Sequence, residues 1–303
     1  MRFSVWPSPT RPVSDILETA RLADEGDWFG LWFADHYMPN TDDGAVDDGD
    51  THEAWAILPA LAARTERVRL GPLVSPTTVH HPALLANRAA SIDHLSGGRF
   101  VLGLGAGWQV NEHRAYGIDL LEPKVRVDRF EEAIQITRSL LDRPRTTFEG
   151  EHFRIVDAPS QPKPVQEHLP ILVGTGGDRM LRITARHADE WNTWGTPGTV
   201  SDRTDALERA CESVGRDPAT IWRSCQALVF LVDDPERAAK LRERAPEGRS
   251  IVGSAAELVD TIGGYVELGV DELIVPDFTL GDTLDQRLDV YRRIADEVRP
   301  AFS

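Results

Sequence analysis

Short apolar runs with strand character alternate with helical patterns almost from end to end of this chain, and no linker interrupts the rhythm. Parallel strands cannot be joined by a tight turn, so such alternation is the mark of a parallel sheet with crossover helices. Eight runs read as strands: Phe3 to Trp6, Phe29 to Ala34, Val68 to Val74, Phe100 to Leu104, Ile171 to Val173, Glu190 to Thr193, Cys225 to Leu231 and Glu272 to Val275. Between them, Leu85, Ala89, Ile92 and Leu95 repeat at helical spacing behind Pro82, and Gly97-Gly98 supplies a left-handed stop. Val127, Phe130, Ile134 and Leu141 mark a second helical stripe, and Leu284, Leu288, Tyr291, Ala295 and Val298 a third. Eight βα units in 303 residues fit a closed (β/α)8 TIM barrel, one domain over 1–303, better than an open doubly wound sheet with its more polar edge strands. Two segments break the rhythm. Thr146 to Ile155 reads as a hairpin inserted after helix four, and Pro235 to Arg244 with Ser254 to Leu268 reads as two helices between strands seven and eight.

The formal net charge of −16 disfavours long-range attraction to nucleic acid or to an anionic membrane, so any phosphate has to be held locally. The start of the chain runs straight into a strand pattern without a signal-peptide core, which predicts a cytoplasmic protein. The uncharged stretch Leu70 to Asn87 contains Pro72, Pro76 and Pro82 and does not suit a membrane span. Cys211 and Cys225 form no C-x-x-C pair, so neither a disulfide framework nor a thiolate zinc site is expected. The acidic, turn-rich loop Thr41 to Asp50 reads as mobile.

In a barrel the chemistry sits where the strands end. Strand two ends in Ala34-Asp35-His36-Tyr37, strand three in Val74-Ser75-Pro76, strand four in Gly103-Leu104-Gly105-Ala106-Gly107-Trp108 and strand five in Gly174-Thr175-Gly176-Gly177. Glycine at alternate positions admits close approach of another group to the main chain. The loop Gly174 to Gly177 precedes a helix from Asp178 to Ala188, whose free N–H groups can hold an anion, with Arg179 and Arg182 adding charge; tight strand–helix packing explains the same glycines equally well. Asp35 and His36 can trade a proton or orient a ring edge, in competition with a capping Asp beside a satisfied His. Asp35, His36, His80 and His81 could in principle hold a metal, but Pro82 makes His81 read as a helix cap, and none is expected. Glu112 and Arg114 border the pocket or form a solvated helix face, and Trp6 and Trp194 line an apolar cavity ahead of the other strand-end tryptophans.

The stretches "FADHYMP", "LVSPTTVHHPALLANRAASIDHLSGGRFVLGLGAGW", "NEHRAYGI", "FEGEHF", "PILVGTGG" and "ARHADEWN", in this order, resemble the bacterial-luciferase-like superfamily, and within it the branch dependent on the deazaflavin coenzyme F420. The resemblance implies a flavin-type ring in the barrel mouth, a small-molecule substrate and a homodimer. It implies that Gly105, Ala106 and Gly107 pass beneath the ring with Trp108 as a wall, and that Gly174, Thr175, Gly176 and Gly177 hold the phosphate. It further implies that His36 handles a proton with Asp35 orienting it, and that a non-proline cis peptide at the end of strand three, between Val74 and Ser75, presses on the ring. An FMN-dependent monooxygenase of the same superfamily and a non-catalytic flavin-binding barrel are the alternatives. The chain departs from the sugar-phosphate dehydrogenases of this branch, which carry an acidic residue in the strand-four turn and a tryptophan shortly after the His. Here those places read Ala106-Gly107 and Met38-Pro39-Asn40-Thr41.

Overall fold

The computed structural model describes residues 1–41 and 43–302, so Asp42 of the acidic loop lies outside the described residues. The chain begins β1 (Arg2–Trp6), α1 (Val13–Glu25), β2 (Gly30–Phe33), α2 (Ala54–Arg64), β3 (Arg69–Pro72), β4 (Ser75–Pro76), α3 (Pro82–Ser96) and β5 (Leu102–Gly105). It continues with α4 (Val110–Tyr116), α5 (Pro123–Asp142), the hairpin β6 (Arg145–Glu149) and β7 (Arg154–Pro159), β8 (Ile171–Gly174), α6 (Asp178–His187), β9 (Glu190–Trp194) and α7 (Pro197–Ser213). The last third holds β10 (Trp222–Gln226), β11 (Leu228–Leu231), α8 (Pro235–Arg244), β12 (Ser250–Gly253), α9 (Ala255–Glu267), β13 (Glu272–Pro276) and α10 (Leu284–Arg293).

The main sheet runs β3-β2-β1-β13-β10-β9-β8-β5-β4, with every pairing parallel. β3 and β4 are two halves of one kinked strand. The first half meets the β5 segment where Val101 N–H donates to the Leu70 carbonyl and Leu70 N–H to that of Arg99, and the second pairs with β5 outright, so the sheet closes into the expected TIM barrel. Alternation along β2 shows how the layers form. Leu31 and Phe33 join the apolar layer beneath the helices, while Trp32 and Ala34 fill the barrel interior with Trp6, Leu73, Val101, Leu172 and Ile274. Helix α3 starts at Pro82 behind the side-chain cap of His81 and stops at Gly97 with φ 67°, as its sequence predicts.

The seventh strand corrects the sequence reading. The run Cys225 to Leu231 is broken after Gln226: β10 stays in the barrel, and β11 leaves it to pair in parallel with β12 as a separate two-stranded sheet. The β6/β7 hairpin and helices α8 and α9 occupy the two expected insertions, and among the described residues no helix is long and apolar enough to cross a membrane.

The end of the barrel where the strands begin is plugged by a buried acid cluster. Glu272 accepts hydrogen bonds from Ser4 Oγ (2.5 Å), Trp32 Nε1 (2.7 Å) and Trp222 Nε1 (3.1 Å). Glu190 pairs with Arg69 through one oxygen and leaves Oε2 buried without a partner. Burial pushes the Glu190 carboxyl up to about 7 despite the Arg69 charge, and the nearby Glu272 adds to the push. Between the ordinary value of 4.5 and 7 the folded chain therefore holds a proton that the unfolded chain has lost, so stability falls as pH rises through that window. Glu190→Gln should remove this slope. Denaturant unfolding at pH 4.5 and pH 8 should show the wild type losing on the order of 3 kcal/mol more than the variant across the interval.

Candidate active site

One cleft opens at the mouth of the barrel, where the strands end. His36 enters it after β2, Val74 from the kink between β3 and β4, Pro76 from the end of β4, and Gly105, Ala106, Gly107 and Trp108 from the end of β5 and the turn after it. Gly174 at the end of β8 with Thr175 after it, Met180 of α6 and Glu112 of α4 complete the lining. Most of the residues singled out by strand position thus meet in one place. Asp35, Ser75, Gly176, Gly177, Trp6 and Trp194 do not line it.

The glycines are explained first by Val74. The cis peptide lies between Leu73 and Val74, one bond before the expected Val74–Ser75 position. The half-buried Val74 side chain stands in the space that side chains of the neighbouring strands would occupy. A Cβ at Gly105 would come within 2.7 Å of Val74 Cγ2, and one at Gly174 within 3.0 Å of its Cγ1. At Gly103 a Cβ would collide with the Pro72 carbonyl. Gly107 has φ +93° and faces the Thr78 hydroxyl, so it answers both to backbone conformation and to space. The floor of the cleft is therefore one valine side chain set among bare backbone.

His36 is held by Glu112. Its Nδ1 lies 3.0 Å from Glu112 Oε1, and Glu112 Oε2 accepts the Tyr37 N–H at 2.8 Å. Glu112 is 1% exposed, while His36 keeps one edge towards the cleft with the Trp108 ring edge-on at 5.5 Å. Asp35, by contrast, is fully buried and turned away from the cleft. Its Oδ2 accepts from Ser75 Oγ (2.5 Å), Trp55 Nε1 (3.0 Å) and His80 Nε2 (2.9 Å), and its Oδ1 is buried without a partner. Burial opposes its charge, yet the hydrogen bonds and charge of His80, helped by Ser75 and His36, hold the carboxyl below the usual range. The carboxylate beside the His36 ring is thus Glu112, which the sequence offers only as an ambiguous helix residue. Asp35 and Ser75 instead brace the kink from behind.

Helix α4 also pins the acidic loop that reads as mobile in the sequence. Gln109 Nε2 donates to the Met38 carbonyl (2.9 Å), Asn111 Nδ2 to those of Pro39 (2.8 Å) and Ala45 (3.1 Å), and Arg114 to that of Gly44 (2.6 Å).

The loop Gly174 to Gly177 leads into α6 without any side-chain cap, and a Cβ at Gly177 would meet open space. Its helix end is therefore available to an anion. Of the two arginines expected beside it, Arg179 is drawn away and a third arginine is added. Arg179 is engaged by Asp128 and Glu131, whereas Arg203 of α7 reaches the Gly176 carbonyl at 2.9 Å and pairs with Asp178 at 3.1 Å. Trp6 and Trp194 lie 5.6 Å apart at the tips of β1 and β9, with Phe278 5.2 Å from Trp6, and make an aromatic wall at the same end of the barrel.

Gly105→Ala should cost about 1–3 kcal/mol through the Val74 collision, and Val74→Ala in the same chain should restore most of it. Denaturant midpoints of the two single variants and the double variant measure the coupling; strict additivity would mean that Val74 is not what requires the glycine.

Among known proteins, the F420-dependent glucose-6-phosphate dehydrogenase of Kineococcus radiotolerans is 33% identical, over 74% of this chain and 66% of its own length. A protein of the same description from Microbacterium testaceum is 34% identical, over 96% of this chain and 95% of its own. The chain thus spans about two thirds of the first of these relatives and nearly all of the second. An F420-dependent secondary alcohol dehydrogenase, solved with an F420–acetone adduct, superposes on the whole chain with a TM-score of 0.82 at 19% identity, a likeness of fold. With the barrel, the kinked third strand and the glycine-floored cleft in place, the match of residues 1–246 to the luciferase-like monooxygenase model completes the assignment: the chain belongs to that family.

Proposed function

We propose that the chain is an oxidoreductase that uses coenzyme F420 to pass a hydride to or from a small organic substrate. The observation that carries this reading is the cleft itself: a lone imidazole edge facing a floor of Val74 and glycine backbone, with an uncapped helix end alongside. A flat tricyclic ring needs a side-chain-free seat, and its phosphate needs local N–H donors in a chain of net charge −16. Gly105, Ala106, Gly107 and Val74 would seat the ring, and Gly174 to Gly177 with the first turn of α6 would hold the phosphate. When bound, the deazaflavin supplies the ring carbon that gives or takes the hydride. His36 supplies or removes the accompanying proton, and Trp6, Trp194 and Trp108 bound the substrate space. Asp35 acts through Ser75, by fixing the kink that presents Val74. The relatives' names support F420, and the family's description as a monooxygenase keeps an oxygen-using, FMN-dependent enzyme as the second reading. Homodimer formation in the cytoplasm belongs to the same proposal.

Titration of the purified chain with F420 and FMN separates the readings. F420 should bind at least tenfold tighter, and a preference for FMN would replace the deazaflavin proposal with the monooxygenase one. His36→Ala should retain F420 affinity within about threefold and lose roughly 10²–10⁴ in turnover; full turnover by that variant would remove His36 from the chemistry.

A further inference from the structure

We propose that Glu112 is a positioning residue that fixes the tautomer of His36, so that neutral His36 carries its hydrogen on Nδ1 and offers the Nε2 lone pair to the cleft. Both Glu112 oxygens are committed, Oε2 to the Tyr37 N–H at 2.8 Å and Oε1 to His36 Nδ1 at 3.0 Å. A carboxylate has no hydrogen to give, so the ring nitrogen facing it has to be the donor. Glu112 is 1% exposed, so water does not compete for that bond, and the two bonds together prevent the carboxylate from rotating away. His36 Nε2 has no protein partner among the described residues, and the ring borders the cleft. Which nitrogen of an imidazole carries the hydrogen is set by the bond the other one makes, and that choice decides whether the free nitrogen accepts a proton or donates one.

The consequence rests on the reading of His36 as the proton-handling group. With an alcohol as the small organic substrate, Nε2 would take the hydroxyl proton in the oxidative direction while bound F420 would supply the hydride acceptor, and the resulting imidazolium charge would face Glu112. The reverse direction returns the proton from Nε2 to the new alkoxide oxygen.

Glu112→Gln tests this because it keeps the shape and inverts the demand. The Tyr37 N–H still requires an acceptor, so the amide oxygen goes to it and the amide NH₂ turns to His36 Nδ1. The ring then has to accept at Nδ1 and carry its hydrogen on Nε2. Nitrogen-15 spectra of the cofactor-free chain, with His36 assigned by comparison with His36→Gln, should show neutral His36 as the Nδ1–H tautomer in the wild type and Nε2–H in Glu112→Gln. This measurement is independent of any cofactor. With F420 and a turned-over substrate, kcat of Glu112→Gln should fall about 10²-fold with KM within threefold of wild type. A wild-type His36 found as Nε2–H overturns the proposal whether or not the variant folds. So does a folded Glu112→Gln that keeps the Nδ1–H form, since Glu112 would then only tether the chain after β2; one that flips tautomer and keeps wild-type kcat upholds the tautomer assignment and overturns the catalytic consequence drawn from it. Failure of the chain to use F420 would sink the functional reading above while the tautomer measurement still decides this one.

Discussion

The mouth of this barrel depends on one steric bargain: strand three bends so that Val74 points into the cleft, and its neighbours give up their side chains to receive it. Gly105 and Gly174 face Val74 directly, and Gly103 lets the β3 and β5 backbones approach at the base of the kink. The bend splits the strand into β3 and β4, and each half contributes to closing the sheet against the β5 segment. Asp35 then braces the outer side through Ser75. Closure, floor and bracing are thus one arrangement, and a methyl group at any of these glycines disturbs all three.

Two buried acids at opposite ends of the barrel are handled differently. At the closed end Glu190 is opposed by Arg69 alone, keeps an unsatisfied oxygen and is pushed towards its neutral form. At the open end Asp35 collects three donors on one oxygen and stays charged, although its other oxygen is orphaned. Donors and neighbouring charges together decide which carboxyl tolerates burial as an anion.

Much of this was legible in the residues, because barrel strands announce themselves by apolar runs and their ends gather the chemistry. The kink was legible only to within one bond, since Val68 to Val74 reads as an unbroken strand and nothing local marks Leu73–Val74 as its turning point. The end of β10 was hidden for the same reason: Ala227 to Leu231 stays apolar although the chain has already left the barrel. Glu112 was ambiguous because N-E-H-R on a short helix looks solvated; its burial comes from Tyr37 and His36, seventy-five residues or more away in sequence. Arg203 escaped likewise, being delivered to the Gly176 carbonyl from a helix whose local pattern carries no hint of it.

Helix α4 has two jobs on one turn and a half of backbone. Gln109, Asn111 and Arg114 fasten the loop from Met38 to Ala45, and Glu112 between them holds His36. Anyone grafting a new loop onto this scaffold to change what it accepts would therefore also be retuning its imidazole. Loop and helix make a natural cassette, to be exchanged together or left alone.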